Sequence, residues 1–147
     1  MAFPSWHPPD PGALAGATMP GAYLLVLALD ARLALPVPRH GGGTLPAGVH
    51  AYAGSARGPG GIRARVRRHL RTEKPVHWHI DRVRAHARVL RVGVWPHGRE
   101  CTWIAALLGA GAHAPLPGLG SSDCRRCPAH LVQMPEAELT PRVDPSQ

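Results

Sequence analysis

Phenylalanine occurs once, tyrosine twice and tryptophan four times in 147 residues. A core with so few rings has to be filled by aliphatic side chains, and 44% hydrophobic residues over this length suffice for one core of ordinary size and no second large domain. Cysteine is scarce too. Three residues cannot all pair within one chain, which excludes a disulfide scaffold and makes a reducing compartment, the cytoplasm, the expected address. Long apolar runs are missing. The most apolar stretch, residues 21–29, is far too short to cross a bilayer, and residues 1–20 have neither a basic start nor a continuous apolar segment, so neither a membrane span nor a leader peptide is expected.

Acidic residues are few, nine against 17 Lys and Arg, and the chain carries a formal charge of +8 with a pI near 11.0. All but one of the cations are arginine, Lys74 being the exception. Their placement says more than their number. Between Arg57 and Arg91 eleven cations (Arg57, Arg63, Arg65, Arg67, Arg68, Arg71, Lys74, Arg82, Arg84, Arg88 and Arg91) face two anions, Glu73 and Asp81, while the rest of the chain is close to neutral. Clustered cations neutralise phosphates and release counterions, so a nucleic-acid partner is the natural inference. A compositional bias toward arginine would account for the number of cations but not for the clustering.

Both ends, residues 1–19 and 135–147, are rich in proline without apolar periodicity and read as loose tails around one domain over residues 20–134. Within it, residues 21–29 suit a strand covered on both faces. Residues 30–47 hold a short strand and a Gly-rich turn, consistent with a hairpin arm, and residues 49–54 a further strand. The loop 55–61 offers backbone N–H groups ahead of a helix over residues 62–71, whose Ile62, Val66 and Leu70 form one stripe. A second helix over 77–86, a strand over 87–95, a third helix over 99–108, a Gly/Pro loop and a last strand over 130–134 complete the pattern. The fold class is α/β of the α+β kind: a small, mixed, mainly antiparallel sheet flanked by about three helices.

On the first helix, Arg65 and His69 lie at the border of the apolar stripe, where a side chain can face a cleft, whereas Arg63, Arg67 and Arg71 point elsewhere. Arg65 there could grip a phosphate with its planar fork, and the helix N-terminus at Gly60 and Gly61 adds favourable dipoles. Equally, Arg65 could solvate the helix edge and His69 line the core. Glu100 shares a helical face with Trp103, Ile104 and Leu107 and either points inward as a hard-cation ligand or complements the helix dipole. His77 and Asp81 fall on one face, where His77 could meet a phosphate. Cys124, Cys127 and His130 have zinc-ligand types at short spacing, with Cys101 as a fourth candidate; buried thiols are the alternative.

The order Gly21-Ala-Tyr23, Tyr52-Ala-Gly54, then Ile62-x-x-Arg65-x-x-x-His69 resembles the motifs of the GIY-YIG nuclease superfamily. The wider pattern, residues 52–61 with His77-Trp-His-Ile-Asp81, Gly120-Ser-Ser-Asp-Cys124 and His130-Leu131, looks like an uncharacterised branch found alone or fused to endonuclease-III-type glycosylases. The resemblance covers roughly residues 20–134. It implies hydrolysis of nucleic-acid phosphodiesters, DNA by analogy, with one Mg²⁺ or Mn²⁺ ion, in a repair setting alongside other repair enzymes. In that scheme Tyr23 helps activate water, Tyr52 orients the site, Arg65 stabilises the phosphate, His69 belongs to the same helix motif, and Glu100 holds the cation. The basic residues Arg57, Arg63, Arg67, Arg68, Arg71, Lys74 and His77 would contact the backbone. The competing expectation is a binding module that has the basic cleft without turnover.

Overall fold

The computed structural model describes residues 4–14, 16–35, 43–71, 79–117, 119 and 127–135. Its elements are β1 (Ser5–His7), a 3-10 turn (Pro11–Leu14), β2 (Gly21–Leu29), β3 (Leu33–Leu35), β4 (Gly43–Leu45), β5 (Gly48–Ala56), α1 (Gly61–Leu70), α2 (His79–His86), β6 (Ala87–Pro96), α3 (Glu100–Gly109) and β7 (Leu131–Gln133). Five strands form one sheet in the order β1-β6-β2-β5-β7, and every pairing in it is antiparallel. This is the expected α+β architecture, with β3 and β4 as a separate two-stranded arm. Among the described residues, no helix is long and apolar enough to cross a membrane.

The central strand β2 is apolar along its length because it is covered on both faces. Alternate side chains enter different cores, as the two-residue repeat of a strand requires. Tyr23, Leu25 and Leu27 join Ile62 and Val66 of α1 and Ile80 and Val83 of α2. Ala22, Leu24 and Val26 join Ala51 and Ala53 of β5 under Trp103, Ile104 and Leu107 of α3. Small residues on that second face leave room for the Trp103 indole, which is fully buried.

The first strand corrects the expectation of a loose N-terminal tail. Ser5–His7 pairs with β6, Trp6 against Gly93, and Leu14 is buried in the core. The indole of Trp6 lies 6.4 Å from that of Trp103, and the Arg91 guanidinium sits 4.2 Å above the Trp6 ring. Stacking between two aromatic rings and a cation explains why so short a strand holds. The loop after α3 is also less irregular than expected, since His113 and Gln133 exchange two backbone hydrogen bonds.

Candidate functional site

The register of β2 and β5 builds the site. Tyr23 faces Gly54 and Leu25 faces Tyr52, so the two tyrosines are diagonal neighbours on one face although 29 positions separate them in sequence. The intervening residues fold back on themselves as β3 and β4, so the insertion does not disturb the pairing. The ring centroids of Tyr23 and Tyr52 are 6.3 Å apart. A side chain at Gly54 would collide with the Tyr23 ring, which explains glycine at that position.

From α1, His69 closes the group. Its Nε2 lies 2.8 Å from the Tyr23 hydroxyl, and its ring centroid is 5.4 Å from that of Tyr23 and 5.9 Å from that of Tyr52. His69 is fully buried, so of the two sequence alternatives it is core-lining, with a phenol as partner. Burial pushes the Tyr23 phenol well above its ordinary range, and the neighbouring Tyr52 adds to this. Burial raises Tyr52 as well, opposed by the nearby Arg65 charge. Both phenols are therefore protonated at neutral pH and act through their hydroxyl groups. Tyr52 is partly exposed and Tyr23 is 1% exposed, so the outer position belongs to Tyr52.

Arg65 is half-buried, and its charge is felt at both tyrosines. Glu100 opens α3 and is half-buried, while Trp103, Ile104 and Leu107 of the same helix are buried. Beside burial, the leading cause, the Glu100 carboxylate on another helix adds a small upward push to the Tyr52 phenol, which puts it in electrostatic reach of that residue. Tyr23, Tyr52, Arg65 and His69 thus form one cluster on the face that packs on α1, while Glu100 opens the helix that packs on the other face.

Several arginines of the basic run have other work, among them Arg68, one of the expected phosphate contacts. Arg68 donates from both terminal nitrogens to Asp81, at 2.9 and 3.0 Å, and the Asp81 carboxylate is buried. This bidentate pair ties α1 to α2, and the Asp81 bond holds the Arg68 guanidinium more strongly protonated than usual. Arg84 donates to the carbonyl groups of His69 (3.0 Å), Leu70 (3.1 Å) and Ala87 (3.0 Å). It thereby caps the C-terminal end of α1, where carbonyl groups lack helical partners. Arg91 covers Trp6. Arg57 after β5, Arg67 on α1 and Arg71 just beyond it are exposed, and Arg63 is half-buried. Lys74, His77 and Cys124 lie outside the described residues.

The N-terminus of α1 also departs from expectation. The N–H of Ile62 donates to the Met19 carbonyl at 3.0 Å and that of Arg63 to the Ala17 carbonyl at 2.7 Å. Gly61 packs against the backbone at Thr18 and Met19 so closely that a Cβ would collide with it. The segment before β2 thus occupies the place assigned to an anion.

Cys101 of α3, Cys127 and His130 converge, their ligand atoms all within 4.8 Å of one another. The pairings Arg68–Asp81 and Arg84–α1 were invisible to sequence reading, since a charge run shows sign and spacing but not tertiary partners.

No curated protein and no solved structure matches the chain. The family model described as "Domain of unknown function DUF123" matches residues 22–144, which include both tyrosines, Arg65, His69 and Glu100, and the chain belongs to that family.

Proposed function

We propose that this protein is a GIY-YIG-type endonuclease that hydrolyses nucleic-acid phosphodiesters, DNA in the first instance. The observation that supports this reading is the convergence of Tyr52, Tyr23, His69 and Arg65 on one sheet face, with the Glu100 carboxylate in electrostatic reach. A basic surface beside such a cluster suits a polyanionic substrate.

A Mg²⁺ or Mn²⁺ ion fits the donors. These hard cations are held by one or two carboxylates together with water and substrate phosphate oxygens, and Glu100 is a half-buried carboxylate available for that part. When bound, the ion would supply charge stabilisation and a more acidic water. The remaining roles follow from exposure and charge. Arg65 binds a phosphoryl oxygen with its planar fork. Tyr52, the outer phenol, donates a hydrogen bond to the substrate or to the attacking water. Tyr23 and His69, both buried, position Tyr52 from behind through the 2.8 Å bond and the ring contacts. Burial raises both phenols, which favours their hydroxyl form and a hydrogen-bonding part in the site. Exposed Arg57, Arg67 and Arg71 would add sequence-independent contacts to the backbone.

The test is incubation of labelled single-stranded, duplex, branched and abasic DNA with the full chain and Mg²⁺ or Mn²⁺, with Arg65→Ala and Glu100→Ala as controls. Metal-dependent cleavage lost in both folded variants supports the nuclease. Salt-sensitive binding by the wild type with no cleavage of any substrate supports the binding module instead.

A further inference from the structure

We propose that the chain binds one zinc ion through Cys101, Cys127 and His130, at a site separate from the carboxylate site for a hard cation. The donors come from distant parts of the sequence. Cys101 is the second residue of α3, whereas Cys127 and His130 lead into β7. Their ligand atoms nevertheless lie within 4.8 Å of one another, and the Cys101 Sγ is 3.8 Å from the His130 Nε2.

Those distances suit the ion. With Zn–S near 2.3 Å and Zn–N near 2.0 Å, tetrahedral geometry places sulfur and nitrogen ligands about 3.5 Å apart and two sulfurs about 3.8 Å apart. The Cys101–His130 separation is already close to that, and the widest separation in the group requires a movement of no more than about 1.3 Å. Two soft thiolates and an imidazole select zinc over the hard cations that Glu100 suits. Three protein ligands leave a fourth position for solvent or another donor.

The cluster is also held in place by its surroundings. The backbone N–H of His130 donates to the Leu119 carbonyl at 3.0 Å, and its carbonyl accepts the N–H of Ala53 at 2.9 Å. That second bond joins His130 to β5 next to Tyr52. Cys101 is fixed by the first turn of α3 and follows Glu100 directly. His130 is buried and both cysteines are half-buried, so the ion would have partial access to solvent. A zinc ion here clips the start of α3 to the edge of the sheet and thereby fixes the helix turn that carries Glu100.

The proposal does not depend on nuclease activity, because its test reads metal. Untagged full chain, purified under reducing conditions from zinc-supplemented medium and dialysed, is expected to hold about one zinc per chain by elemental analysis. After zinc is replaced by cobalt(II), intense visible ligand-field bands and a thiolate-to-cobalt charge-transfer band are expected. Cys127→Ser, a near-isosteric change at a half-exposed position, and His130→Asn should each bring zinc to background and weaken the cobalt bands. Chelation of the wild type should lower its Tm without any mutation. A wild-type chain that contains no zinc and gives no cobalt spectrum on reconstitution overturns the proposal, as does Cys127→Ser with its full complement of metal.

Discussion

Tyr23 and Gly54 face each other across the β2–β5 pair, and the Tyr23 ring occupies the space that any side chain at position 54 would need. The glycine is thus the floor on which the phenol lies, and the hydroxyl so placed meets His69 at 2.8 Å.

Gly54→Ala should destabilise the fold by about 1–3 kcal/mol, the usual effect of overpacking a well-filled core. Gly58→Ala is the control, since a Cβ there meets nothing within 4 Å. Urea denaturation of the two variants checks this, and equal midpoints would contradict the packing relationship.

Arg68→Ala should cost about 3 kcal/mol, because it removes the bidentate guanidinium from the buried Asp81 carboxylate. Replacement of both by apolar residues, Arg68→Met with Asp81→Leu, should recover most of the loss. A double-mutant cycle measures this, and additive losses would show that the pair is not coupled.

Arg84→Ala removes three bonds to carbonyl groups, two of them at the end of α1 that carries His69. A loss of about 1.5–3 kcal/mol is expected, the range for a bond to a charged donor, with faster amide exchange in the last turn of α1. Arg84→Lys should restore little of it, because an ammonium cannot present a planar fork to several acceptors. Hydrogen exchange that is unchanged in Arg84→Ala would remove its capping role.

The phenols predict an alkaline transition. Tyr23 and Tyr52 have folded-state pKa values raised above the unfolded value of about 10, by burial in each case. The folded state therefore retains protons that the unfolded state gives up, so their contribution is fully present below about pH 10 and declines as pH rises above it. With only two tyrosines in the chain, phenolate absorbance reports on these two alone. The native protein should show suppressed titration near pH 10, followed by ionisation coupled to unfolding, and Tyr23→Phe should flatten the alkaline limb of stability. Ordinary titration of both phenols in the folded protein would contradict their burial.

Much of the main sheet could be read from sequence, for reasons tied to particular residues. The unbroken apolar run of β2 reflects cover on both faces, and the four-residue stripe Ile62, Val66 and Leu70 marks the buried side of α1. Motif order singled out Tyr23, Tyr52, Arg65 and His69, and the structure brings Tyr23, Tyr52 and His69 into contact. What was not legible is what tertiary contact decides. Strand β1 is three residues long beside prolines, and it holds through Trp6 on Trp103 and Arg91, partners far away in sequence. Arg68 and Arg84 share the spacing of solvent-facing cations, yet both bond to protein groups on neighbouring elements. The ends of α1 show the same limit: glycine before a helix signals open N–H groups, but Ala17 and Met19 satisfy them. The cysteine and histidine types suggested a metal site, whereas the approach of Cys101 to Cys127 and His130 depends on how α3 packs against β7.

The most direct measurement of the central claim is the single-turnover rate of DNA cleavage at saturating protein and Mg²⁺, with wild type and Glu100→Gln compared after equal binding has been verified. The account predicts cleavage by the wild type that chelation abolishes, and a loss of at least about 100-fold in Glu100→Gln with affinity for DNA nearly unchanged. Cleavage by Glu100→Gln at the wild-type rate, or a wild type that binds DNA tightly and never cuts it, would contradict it.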